Sequence, residues 1–318
     1  QHITYSEQLK FKEEEVKNLI LSAEKNYGKL NSYIEVQGQV TSVLAGAFAA
    51  LLLTGTTNNV LEIGGFTFYL PFNIEQWEIY EVFMMDAITY LVVIFIFLLM
   101  KYTPISKDKI HTSGIFDRLK GGFSYLMNHQ IIFIFGFFSS ILFAFTLVEV
   151  HVLLPSYVDK FLKMEGNIYA SAEIYYSFGA IMSGLLILRI FKKFNTVFGI
   201  IVLMIVVSFA FYAMAIYNIL WVFFLGNFIL GITNAGVRIL KTTYLFNHVP
   251  NNLIGRTNSV FGFLNTIVRM LLIGLFALPF YQISDNIRYG YFAGVIMMII
   301  AVIPLIIWYK RILSVERN

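Results

Sequence analysis

Long apolar runs, separated by short polar segments, dominate this chain. Runs of about 18 or more apolar residues are long enough to cross a hydrocarbon core as helices. Eight such spans are predicted, at residues 36–54, 79–100, 131–153, 170–190, 196–217, 219–241, 259–281 and 289–309. The sixth is the most diluted, carrying Asn227, Asn234, Arg238 and Lys241, and only RIFKKFNT divides the fourth from the fifth. The pattern predicts an all-α integral membrane bundle.

Composition agrees: 58% of residues are hydrophobic and 13% charged, against about 25% charged in soluble domains. The formal charge of +4 is explained by where the cations fall, with no need for nucleic acid. With the N-terminus inside, nineteen of the 23 Lys and Arg residues fall on inner segments; Lys160, Lys163 and Arg288 fall outside, and Arg269 lies in mid-membrane. Retention of basic residues on the cytoplasmic side therefore predicts that both termini are cytoplasmic. The polar start, with a surface helix expected in KFKEEEVKNLILSAEK, reads as a solvated cytoplasmic loop, and the start without Met reads as a fragment.

Several spans carry one polar or small face at offsets i, i+4, i+7, i+11. These are Glu35, Gln39, Ser42 and Gly46 on the first, and Glu173, Ser177, Ala180 and Gly184 on the fourth. The sixth has Asn227, Gly231, Asn234 and Arg238, and the seventh Asn258, Gly262, Asn265 and Arg269. Small residues let helices approach and polar ones hydrogen-bond between them, so packing alone explains part of this pattern. Three large polar groups in the stripe on the sixth span exceed what packing requires.

Ionisable groups inside a membrane face a partner or an aqueous cavity, because each costs at least about 2.5–3.5 kcal/mol at a helix centre. The candidates are Asp86, Glu149, His151, Glu173, Arg238 and Arg269. In the orientation above, the first four lie toward the outer end, and Arg238 lies near the inner end, within snorkelling reach of the cytoplasm. Glu149 and His151, two apart, do not share a helix face. Arg269 is roughly 16 Å from its inner end and Glu149 roughly 27 Å from its own, at 1.5 Å per residue. That separation disfavours a direct pair and leaves an anionic substrate group, Asn265 with nearby carbonyls, or a residue outside these spans as partners for Arg269.

Metalloprotease, nucleophile-elbow and phosphate-loop motifs are all missing, and the five histidines are scattered. No cofactor and no metal site is expected, and the absence of cysteine excludes thiol chemistry.

GLLILRIFKKF, from Gly184, resembles the loop motif of the major facilitator superfamily. Gly184, Leu186, Arg189, Lys192 and Lys193 match or substitute conservatively, while Leu188 replaces its aspartate and Phe191 its second glycine. KLNSYIEVQGQVTSVLAGAFAALLL is similar to the fifth helix of the drug and siderophore exporter branch, and MMDAITYLVVIFIF to its sixth. VLLPSYVDKFL is similar to the segment after its seventh helix, and NHVPNNLIGRTNSVFGFLN to its loop between helices ten and eleven.

The resemblance implies that the eight spans are helices five to twelve of an expected twelve, with helices one to four missing. Residues 1–33 would be the cytoplasmic loop after helix four, 34–101 the last two helices of the N-terminal half, 102–130 the cytoplasmic linker and 131–318 the six-helix C-terminal half. It places Glu149, Asn227, Asn234 and Arg238 on cavity-lining helices, with His151 beside them. It places Glu35, Gln39, Glu173, Asn265 and Arg269 at the contact between halves. The function implied is alternating access by a monomer in the bacterial inner membrane, with protons and a drug-like, macrolide or siderophore substrate as partners. The alternatives are an uptake permease for a small polar solute and a non-transporting membrane scaffold.

Overall fold

The computed structural model describes residues 27–45, 48, 51–52, 55–56, 60–63, 66–69, 71, 73–100, 114–164, 166–191 and 194–317. Among these, seven helices are long and apolar enough to cross a membrane: Tyr80–Leu99, Gln130–Leu162, Ser171–Ile190, Thr196–Ile216, Leu220–His248, Asn252–Phe276 and Ser284–Ile307. They correspond to the second to eighth predicted spans. The first predicted span lies partly outside the described residues. Its start is a helix, α1, over residues 27–45.

After α1 the chain makes a hairpin, β1 (Val60–Ile63) paired antiparallel with β2 (Phe66–Tyr69), Val60 opposite Tyr69. The apolar scan reads this stretch as an outer loop, yet VLEI and FTFY around Gly64 and Gly65 are a hairpin signal. Helix α2 (Ile79–Leu99) opens on a reciprocal capping box between Glu78 and Glu81. Most of its apolar side chains are exposed, which a hydrocarbon solvent tolerates. Helix α3 (Ile115–Asn128) lies in the stretch expected to be a linker, and precedes the bundle.

The seventh-helix counterpart is broken into pieces: α4 (Gln130–Phe138), α5 (Ile141–Val148), a π-helical turn over Glu149–Leu153, α6 (Leu154–Tyr157) and a second π-helical turn over Val158–Leu162. The first break has an identifiable cause. The Ser139 and Ser140 hydroxyls donate to the carbonyls of Phe135 and Gly136, a back-bonding that bends helices. Pro155, which has no N–H to donate, lies between the two π turns.

The rest of the bundle comprises α7 (Gly166–Ile190), α8 (Thr196–Ile216), α9 (Leu220–His248), α10 (Asn251–Phe276), a short α11 (Pro279–Gln282), α12 (Tyr289–Ile307) and α13 (Tyr309–Arg317). Helix α9 runs seven residues past the predicted end of its span. Its polar residues mark an interior face: Asn227, Gly231 and Asn234 are all buried. Helices α7 and α9 approach backbone to backbone. A Cβ at Gly231 would fall 1.9 Å from the Tyr176 carbonyl oxygen, and one at Gly179 2.1 Å from that of Phe228. Away from that crossing the core is aromatic, with Phe145, Tyr157, Phe211, Phe223, Phe276 and Tyr291 all fully buried. Such rings contribute large apolar area and favour offset or edge-on contacts.

Candidate functional site

Three of the four polar stripes converge at one end of the bundle, where α1 lies along α7 and α9. The contacts follow one face of α1 at four-residue intervals, as helical periodicity requires. Tyr27 stacks on Phe246, with centroids 5.4 Å apart. One turn on, Asn31 Nδ2 donates to Thr243 Oγ1 at 3.2 Å. Another turn on, Glu35 receives Arg238, Oε2 to Nη2 at 3.2 Å and Oε1 to Nη1 at 3.5 Å. Gln39 follows: its Nε2 donates to Glu35 Oε1 at 3.0 Å, and its Oε1 accepts from Ser177 of α7 at 3.4 Å.

Gly184, the first residue of the loop motif, is part of the same contact. It is buried against Ser32 and Val36, and an added Cβ would fall 2.4 Å from Val36 Cγ2. Arg189 is exposed, and Lys192 and Lys193 lie outside the described residues. The α1 contact stops after Gln39: Ser32 and Glu35 are buried, while Thr41 and Ser42 are exposed. The described contacts of α1 therefore lie toward the His248 end of α9.

Arg238 is not left to snorkel, as its position near a helix end suggests. Its guanidinium sits between Glu35 and the Phe143 ring, 5.0 Å from the ring centroid, and its side chain is 39% exposed. Asn234, one turn away, donates from Nδ2 to the Tyr176 hydroxyl at 2.7 Å. Asn227 is satisfied within its own helix, donating to the Phe223 carbonyl at 3.0 Å. Of the α9 stripe, Gly231, Asn234 and Arg238 thus face α7 and α1.

A second cluster surrounds the first π turn. Glu149 is fully buried; its Oε1 accepts from the Tyr291 hydroxyl of α12 at 2.8 Å, and its Oε2 has no partner among the described residues. Its carboxyl group is shielded by the described residues around it. His151 is exposed, so the two residues do face different environments. Glu173 is exposed on α7 and accepts from Tyr169 at 3.0 Å. Asp86 is exposed on α2.

The α10 stripe divides. Asn265 is buried and donates to the Ser140 carbonyl at 3.3 Å, whereas nothing lies within 4 Å of a Cβ at Gly262. Arg269 reaches Thr266 Oγ1 at 3.1 Å, and its Nε has no partner among the described residues. Among the described residues no carboxylate lies within ion-pair distance of Arg269.

Tyr176, Tyr291, Ser140 and Lys241 have places in these clusters that the polar-stripe pattern does not reveal. Tyrosines inside an apolar run add little polar signal, and Lys241 reads as the basic flank of its span. No group of three or more metal-ligating side chains occurs among the described residues.

Comparison with known proteins gives a family match over most of the chain: the Major Facilitator Superfamily, over residues 20–273. No curated protein matches the sequence. Among solved structures the chain is similar to a bacterial homologue of iron transporter ferroportin, crystallised in an outward-facing state. The identity is 13% and the TM-score 0.47, over 70% of this chain and 53% of that one. The chain thus spans about half the length of that protein.

Proposed function

The chain belongs to the Major Facilitator Superfamily, and from that premise we propose that it works as the moving part of a secondary transporter by alternating access, exporting an amphipathic substrate in exchange for protons. The family makes it a transporter-like membrane protein. The observation that carries the mechanism is the row of contacts from Tyr27 to Gln39, with the Glu35–Arg238 pair inside it. Polar and ionic contacts between helices can be exchanged for water when helices separate, without exposing a hydrophobic core. They suit a surface that opens and closes better than a permanent joint.

In this reading the His248 end is cytoplasmic, and α1 belongs to the N-terminal half while α7 and α9 belong to the C-terminal half. The arrangement is closed on the cytoplasmic side. Substrate binds between the halves near the membrane midplane, as in transporters of this kind. A drug-like molecule, a macrolide or a siderophore is the proposed cargo. Glu149 is the proposed proton carrier, since its unpartnered Oε2 offers a place for a proton and Tyr291 orients the other oxygen.

The test is transport of ethidium, a labelled macrolide and a ferric siderophore in inverted vesicles, with and without an imposed pH gradient. Gradient-dependent movement of one of these, lost in Glu149→Gln, is expected. Movement that ignores the gradient removes the proton from the account. No movement of any of the three, with uptake of a small polar solute instead, favours an uptake permease.

A further inference from the structure

Among the described residues, cations outnumber anions where α9 meets α1 and the broken helix. Arg238 and Lys241, three residues apart on α9, both reach the turn of the broken helix that holds Ser140 and Phe143. Lys241 Nζ donates to Ser140 Oγ at 3.0 Å. That hydroxyl gives its own hydrogen to the Gly136 carbonyl, and the Ser140 carbonyl accepts from buried Asn265. The ammonium therefore has a neutral partner and two further N–H groups to place. Glu35 is the one carboxylate within ion-pair distance of any of these cations among the described residues, and it meets Arg238. One turn beyond Asn265, deeper in the bundle, Arg269 is a further cation whose Nε has no partner among the described residues.

Cations packed between helices are costly without an anion, and among the described residues a single carboxylate leaves Arg238 and Lys241 with net positive charge. The Arg238 side chain stays 39% exposed with Glu35 in place, so Glu35 does not enclose the guanidinium. We infer that Arg238 and Lys241 form a binding subsite for the anionic head of the substrate, a carboxylate or similar oxyanion, and that Glu35 occupies this subsite when the helices are closed. Asn265 and Ser140 hold the floor of the site. When α1 withdraws, Glu35 leaves with it and the two cations face the opened space. The substrate anion and Glu35 then compete for Arg238, which ties substrate release to closure. This rests on the alternating-access reading, and it selects the anionic, siderophore-like members of the proposed substrate classes.

The probes are tritiated 2-naphthoate, an apolar ring with one carboxylate, and its uncharged amide, with binding to the purified whole protein measured at equilibrium. A charge-assisted hydrogen bond made by the acid alone predicts that it binds about tenfold more tightly than the amide. Glu35→Gln removes the internal competitor and should raise acid affinity about tenfold, while Lys241→Gln should lower it by a similar factor and Lys241→Arg should retain it. Binding of the amide should be unchanged throughout. Misfolding cannot produce shifts of opposite sign in the two glutamine variants. Equal affinity for acid and amide, or no binding of the acid in any variant, overturns the subsite. Transport is read separately: the expected binding pattern without transport sinks the alternating-access reading and leaves the subsite standing. Transport by a protein indifferent to the acid's charge does the reverse.

Discussion

Arg238 of α9 and Glu35 of α1 meet at 3.2 Å, though 203 residues separate them in sequence. The pair is asymmetric, since Glu35 is 6% exposed and Arg238 39%. A half-open pair adds little stability, on the order of 0–1 kcal/mol after solvent screening. Its value in this account lies in which helices it joins. Glu35→Gln and Arg238→Gln should each unfold within about 1 kcal/mol of the parent while slowing turnover at least about tenfold. The exchanged double variant, Glu35→Arg with Arg238→Glu, should recover part of the rate for an uncharged substrate but not for an anionic one, because it leaves a carboxylate on α9 where the substrate anion would bind. Thermal unfolding and vesicle transport on the same preparations check both halves of this statement.

Packing at the α7–α9 crossing predicts a contrast between two glycines. Gly231→Ala places a methyl against the Tyr176 carbonyl, which is backbone and cannot swing away, so a loss of about 1–3 kcal/mol is expected. Gly262→Ala meets nothing within 4 Å and should be neutral or stabilise α10 by up to about 1 kcal/mol. Unfolding in a graded denaturant series distinguishes them, and equal effects would mean that the α7–α9 approach is looser than described.

Among the described residues Arg269 has one side-chain partner, Thr266, and a buried Nε without one. Arg269→Leu should therefore fold as well as the parent or better, because it removes an insertion cost of about 2.5–3.5 kcal/mol. If the guanidinium meets the opposing half or a substrate anion during the cycle, the same variant should lose at least about tenfold in turnover, with Arg269→Lys intermediate. Normal transport by Arg269→Leu would reduce the α10 stripe to packing.

Sequence pattern reveals the helices well and their partners poorly. Long apolar runs are unambiguous, so seven of the predicted spans recur as helices of membrane-spanning length. Their ends are less secure where polar residues face inward, as beyond Lys241 in α9, because an interior polar residue and a loop residue look alike in a hydropathy scan. The π turns at Glu149 and Val158 escape a search for helical periodicity, since one extra residue per turn leaves composition unchanged. The stripes of α1, α7 and α9 are readable one by one, but nothing local says that Glu35 meets Arg238 or that Gly184 seats Ser32. The Glu149–Tyr291 bond is hidden because the tyrosine lies in an ordinary apolar run.

Orientation is open to labelling, because the chain has no cysteine of its own. A cysteine at Asn286, between α11 and α12, should react with an impermeant thiol reagent added to intact cells. One at Asn252, at the start of α10, should react only after permeabilisation, as the distribution of basic residues requires. The reverse pattern would invert the bundle and exchange the two sides of the proposed cycle.

The central claim is that α1 separates from α7 and α9 in every transport cycle. Asn31 and Thr243 touch across that contact at 3.2 Å, and cysteines in their places should join on mild oxidation. The measurement is vesicle transport by the Asn31→Cys, Thr243→Cys double variant before oxidation, after it, and after reduction. The account predicts near-normal transport at first, loss of at least nine-tenths of it in proportion to the cross-linked fraction (about a tenfold effect), and recovery with reductant. Undiminished transport by fully cross-linked protein would show that this contact never opens, and would contradict the account.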